Sequence, residues 1–122
     1  MIANAGFNDL VTSGSPLEKS FAKREGVPSA VACSIHPWMK AYMLVRDNPY
    51  MAVTNEKGEF EIKNLPAGKH EFIFWHEGAG NIRSLKVGGT KTSRKGRAKL
   101  TIAAGETLDL GEVKVSGKAL GM

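Results

Sequence analysis

Three side chains that can hold a metal stand three residues apart in Cys33-Ser34-Ile35-His36-Pro37-Trp38-Met39. A thiol, an imidazole and a thioether at this spacing can converge on one point if a tight turn between two extended runs carries them. Soft sulfur with imidazole is copper chemistry before it is zinc chemistry. A blue-copper electron-transfer site uses two His and one Cys in a plane with a weak axial Met, and this motif supplies three of the four. Each residue also has a plainer use, Cys as a small buried hydrophobe, Met as a gap-filler and His as a loop or core side chain.

Two β-patterned runs must position the motif. Val31, Cys33 and Ile35 alternate with the small Ala30, Ala32 and Ser34, a pattern that suits a strand packed closely on both faces. Tyr42-Met43-Leu44-Val45 forms the second arm, and Arg46-Asp47-Asn48-Pro49 terminates it. Cys33 then ends one strand, His36 sits in the loop and Met39 opens the next strand.

On these residues the stretch 32–45 resembles the last hairpin of small cupredoxins of the amicyanin type, the kind found as methylamine-utilization-type proteins. The seven residues from Cys33 to Met39 resemble their C-terminal ligand loop. The resemblance implies a copper cofactor and a redox partner protein. It makes Cys33 the covalent thiolate, His36 the solvent-edge imidazole through which electrons leave, and Met39 the weak axial ligand. Cupredoxins take their first His from a strand well upstream, whereas no His precedes His36 here. The expectation is a cupredoxin-like element lacking its N-terminal half, with Cu(I) held better than Cu(II). The resemblance also implies an exported, periplasmic protein, although the first nine residues lack both the basic start and the apolar run of a signal peptide.

The chain has 122 residues, 42% hydrophobic and 24% charged, enough for one domain or two small ones. Fourteen Gly and five Pro, scattered between short β-patterned runs, favour an all-β sandwich over a helical fold. A single Cys excludes an internal disulfide, and no apolar run approaches membrane-spanning length. Residues 1–14 carry no strong period. Ser15-Pro16-Leu17-Glu18 has the form of a helix-capping box, but Leu17, Lys19, Phe21 and Lys23 also alternate. The cupredoxin resemblance favours the strand.

From Pro49 onward the pattern changes. Asn55-Glu56-Lys57-Gly58 reads as a turn, followed by Phe60 and Ile62 inward against Glu59, Glu61 and Lys63 outward. A second turn over 64–68 feeds His70-Glu71-Phe72-Ile73-Phe74-Trp75-His76, which is apolar on both faces and reads as a central strand. Ser84-Leu85-Lys86-Val87 can begin a returning strand. Ala98, Leu100 and Ile102 face one way in the next, and Gly105 ends it. Leu108, Leu110, Val113 and Val115 shift parity at Gly111, as a β-bulge requires.

The run from Gly58 through Phe60, Ile62, Asn64-Leu65-Pro66-Ala67-Gly68 to His70 resembles the carboxypeptidase regulatory-like module. That module is a transthyretin-like sandwich grouped with carbohydrate-binding folds, and the likeness bears on fold more than function. The expected organisation is a cupredoxin-like part over residues 1–48, a regulatory-like β-sandwich over 49–116 and a mobile tail over 117–122. Phe60, Ile62, Phe72, Phe74, Leu100 and Leu110 should form the sandwich core.

Other candidates are weaker. Lys86, Lys91, Arg94, Lys95, Arg97 and Lys99 stand in a stretch without acids and account for the net charge of +5. An acidic redox partner or an anionic polysaccharide can dock on such a loop, but a solvated hairpin tip is the simpler expectation. No aromatic interleaves these charges, so no nucleic-acid function is expected. Trp38, Tyr42, Tyr50 and Trp75 can stack on sugars, and Trp75 can equally fill the core. His70 and His76, six apart on one expected strand, are conceivable replacements for the missing imidazole, with a structural role the plainer reading. No catalytic triad, carboxylate pair, phosphate loop or zinc spacing occurs, and no enzyme is expected.

The sequence therefore predicts an all-β protein of Greek-key sandwich type, a partial cupredoxin hairpin fused to a transthyretin-like sandwich. Its expected function is copper binding and electron transfer through Cys33, His36 and Met39. The alternatives are a carbohydrate-binding or adhesive β-module without metal, and a structural domain with no ligand.

Overall fold

A computed structural model describes residues 3–6, 18, 20–33 and 38–118. The described residues contain no helix and fold as short antiparallel β-pairs, so the described part of the chain is all-β. The chain divides into two compact units, Met1–Val53 and Thr54–Met122. The division falls beyond the Asn48–Pro49 break read from the turn residues.

In the first unit, β1 (Ser29–Ala32) pairs with β2 (Lys40–Met43) from Ser29 opposite Met43 to Ala32 opposite Lys40. Residues at this separation alternate between the two faces of the hairpin. Ala30, Ala32, Lys40 and Tyr42 share one face, where the Lys40 ammonium lies 5.2 Å from the centre of the Tyr42 ring. Upstream, the strand expected over 17–23 is not formed at its described positions, where the backbone bends at Ala22 and Lys23. The capping-box residues Ser15 and Pro16 lie outside the described residues, as do Leu17 and Lys19.

That upstream segment is tied down by Glu25, whose side chain is 1% exposed. Its carboxylate accepts hydrogen bonds from the Ala3 and Asn4 backbone N–H groups and from the Asn4 side-chain amide at 2.8–3.2 Å. Its backbone N–H donates to the Val45 carbonyl at 2.7 Å, and its carbonyl accepts from Arg46 at 3.1 Å. A buried carboxylate requires such compensation.

In the second unit, β3 (Gly68–Ile73) pairs with β8 (Arg97–Ile102) in a two-stranded sheet. Two small hairpin pairs lie between them: β4 (Trp75–His76) with β5 (Gly80–Asn81), and β6 (Lys86–Val87) with β7 (Thr90–Lys91). The β6–β7 turn is Gly88-Gly89, both at positive φ, as a two-residue turn of the hairpin type requires.

The alternation expected for β8 is observed, with Ala98 and Leu100 buried between the exposed Arg97, Lys99 and Thr101. The single central strand expected over 70–76 is not. It is interrupted at Phe74, whose N–H donates to Gly96 and whose carbonyl accepts from Ile82. Gly96 has φ of 73°, and a Cβ there would lie 2.9 Å from the Phe74 carbonyl oxygen. Two chain segments thus grip Phe74, and the strand breaks there.

The core also differs from the sequence expectation. It centres on Ile82, Leu85, Val87 and Leu100, with Phe72, Phe74, Leu110, Val113 and Val115 packed around them. Thr92 is buried among these residues; its hydroxyl donates to the Ile82 carbonyl at 2.6 Å and accepts from the Leu85 N–H at 2.8 Å. Phe60, expected at the centre, is 40% exposed, and Ile62 is half-buried. Neither the 58–63 run nor the 106–116 run forms a strand, so the ladder that would have turned Phe60 inward is absent there.

Candidate functional site

The ends of β1 and β2 deliver two of the three sulfur and imidazole residues to one place. The pairing of Ala32 with Lys40 continues outward, because the Cys33 N–H donates to the Met39 carbonyl at 3.1 Å. Residues directly opposite in an antiparallel pair project from the same face, with Cβ atoms about 4.5–5.5 Å apart. Cys33 and Met39 therefore share the face of Val31 and Ala41. Cys33 is half-buried, Met39 is exposed, and Trp38 beside it is 77% exposed. His36, midway between them in sequence, lies outside the described residues. A thiol and a thioether set across a hairpin mouth suit a soft cation such as Cu(I).

The other imidazoles are engaged locally. His70 Nε2 is 2.6 Å from the Pro66 carbonyl, and its ring meets Phe72 edge to face at 6.4 Å. His76 Nδ1 accepts from the Gly78 N–H at 2.9 Å. The two lie in different strands, β3 and β4, rather than on the single strand expected. Among the described residues no group of three or more His, Cys, Asp and Glu side chains is placed to hold a metal ion.

Of the aromatic candidates, Tyr42 and Tyr50 are half-buried in the first unit, and Trp75 is half-buried in the second. The six basic residues of 86–99 are all exposed, and Arg97 forms an ion pair with Glu71 at 3.0 Å. Such exposed pairs contribute little to stability. No helix among the described residues is long and apolar enough to cross a membrane.

Two features were missed by the sequence reading. Glu25 is separated from Asn4 by twenty-one positions, and no turn motif links them. The second is an open trough of about 1160 Å³ in the second unit, between the 57–65 and 103–113 runs. Its trace in the sequence is the unpaired alternation of 59–63, flanked by acids in an otherwise basic chain. No protein-family model, curated protein or solved structure matches the chain.

Proposed function

We propose that the β1–β2 hairpin holds copper as Cu(I) through the Cys33 thiolate and the Met39 thioether, with His36 as the nitrogen ligand, in a cupredoxin-like electron-transfer protein. The observation that supports this reading is the register that sets Cys33 opposite Met39 on one face, closed by the 3.1 Å backbone bond between them. Bound copper would supply one-electron chemistry. The hairpin's contribution is to hold two soft donors at a fixed separation, so that little order must be gained on binding. Within this reading the exported location and the redox partner follow from the cupredoxin resemblance. The second unit is read as a transthyretin-like Greek-key sandwich, supported by the one-sided burial of β8 and the apolar runs on either side of it.

Titration of the reduced protein with Cu(I) against a competing chromophoric chelator tests the site. One equivalent should be withdrawn from the chelator by the wild type and none by Cys33→Ser. Equal binding by both would refute the assignment. A second reading, glycan binding without metal, is favoured by the exposure of Trp38, since an indole so placed can stack on a sugar face. Glycan binding lost in Trp38→Ala but unchanged in Cys33→Ser would select it.

A further inference from the structure

We propose that the trough of the second unit is a docking groove for an extended peptide segment of a partner protein, one that alternates apolar with Lys or Arg side chains. The proposal is independent of the copper reading. Three observations carry it. The lining of the trough includes the apolar Phe72, Leu100 and Ile102 of the β3–β8 sheet. Phe60 and Leu108, which also line it, leave 40% and 43% of their surface exposed, so they add apolar area that a ligand can cover.

The charge of the lining is opposite to that of the chain. Glu59, Glu61, Glu106, Asp109 and Glu112 line the trough against only Lys57 and Lys63, whereas the chain as a whole carries +5. Acids gathered around an apolar cleft favour a ligand that is apolar along one side and cationic along the other.

The backbone favours an extended ligand over a compact one. The β3–β8 sheet has two strands and therefore two edges not paired to another strand among the described residues. A strand edge offers N–H and C=O groups in a row, and an added extended segment satisfies them while its alternate side chains enter the cleft. The chain's own basic stretch over 86–99 is a poorer occupant, because its apolar members Val87 and Ala98 are already buried in its own core.

The test uses fluorescein-labelled octapeptides and the full chain, read by anisotropy at low and moderate salt. Alternating Lys-Val should bind, and more weakly as salt rises; alternating Glu-Val and alternating Lys-Ser should not. Phe60→Ser and Leu108→Ser should each weaken Lys-Val binding at least tenfold, as should the double variant Glu61→Lys with Glu106→Lys, all with thermal transitions retained. Equal binding of Lys-Val and Lys-Ser, or unchanged binding by all three variants, would overturn the proposal. So would amide exchange showing residues 60–63 already protected in the isolated monomer, since the chain itself would then close the trough. Concentration-dependent dimerisation abolished by Phe60→Ser would also overturn it, by assigning the groove to a second copy.

Discussion

Cys33 and Met39 face each other across the mouth of the β1–β2 hairpin, joined by a backbone hydrogen bond of 3.1 Å from the Cys33 N–H to the Met39 carbonyl. Because the pair shares one face, both side chains project to the same side of the hairpin. The two donors differ in strength: a thiolate is charged and covalent toward copper, whereas a thioether is neutral and weak. Cys33→Ser should therefore abolish Cu(I) binding, and Met39→Leu should only reduce it. Chelator competition measures both. Since only one histidine stands close to Cys33 in the sequence, the Cu(II) form should show little blue absorption.

The imidazoles of His70 and His76 should be irrelevant to that site. Each already contacts backbone, His70 at the Pro66 carbonyl and His76 at the Gly78 N–H. His70→Ala and His76→Ala should leave Cu(I) affinity within a factor of about two, which is small against the tenfold that 1.4 kcal/mol represents. A larger loss in either variant would place that histidine in the proposed copper site.

Core substitutions should rank by observed burial rather than by sequence alternation. Leu85 is 5% exposed and touches the centre of the core, so Leu85→Ala should cost about 2–5 kcal/mol. Phe60→Ala should cost about 1 kcal/mol, since much of that ring is already in solvent. Denaturant unfolding of the two variants gives the ranking directly.

The contrast between Leu85 and Phe60 also shows what the sequence could convey. The Asn55–Gly58 turn was legible because its chemistry is local: the Asn55 side-chain oxygen accepts from the Lys57 and Glu59 N–H groups, and Gly58 takes φ of 77°. The faces of β8 were legible for the same reason, as alternation alone sorts Ala98 and Leu100 from Lys99. Alternation cannot report whether a partner strand exists, and Phe60 alternates without one. The Leu85–Val87 alternation marked only a short strand; that Ile82, Leu85 and Val87 form the core centre around the buried Thr92 hydroxyl, which joins residues seven and ten positions away, no period marks. The Cys33–Met39 opposition was readable from the two flanking runs, whereas Glu25 and its Asn4 partner were not, since only the folded chain brings them together.

Thr92 provides a test of the polar part of the core. Its buried hydroxyl satisfies the Ile82 carbonyl and the Leu85 N–H at once. Thr92→Val keeps the shape but leaves both backbone groups without that partner, a loss of about 1–3 kcal/mol for each group left unsatisfied. Thr92→Ser retains the hydroxyl and should recover most of the difference. Equal melting temperatures for the Val variant and the wild type would show that the hydroxyl bridge contributes nothing.

Gly96 and Gly89 separate the two reasons a position can demand glycine. Both have positive φ, 73° and 88°, so alanine at either pays the left-handed penalty of about 1–2 kcal/mol. Around Gly89 a Cβ would meet nothing within 4 Å. Around Gly96 it would meet the Phe74 carbonyl oxygen at 2.9 Å and the Ile82 nitrogen at 3.0 Å, backbone atoms that already hydrogen-bond to each other. Relief at Gly96 would require the segments gripping Phe74 to separate, with loss of the Phe74 N–H to Gly96 bond as well as the Ile82 N–H to Phe74 bond. Gly96→Ala should thus destabilise well beyond Gly89→Ala and should raise amide exchange at Phe74 and Ile82. Equal destabilisation by the two substitutions would mean that Phe74 is not gripped by these segments and that the interruption between β3 and β4 has another cause.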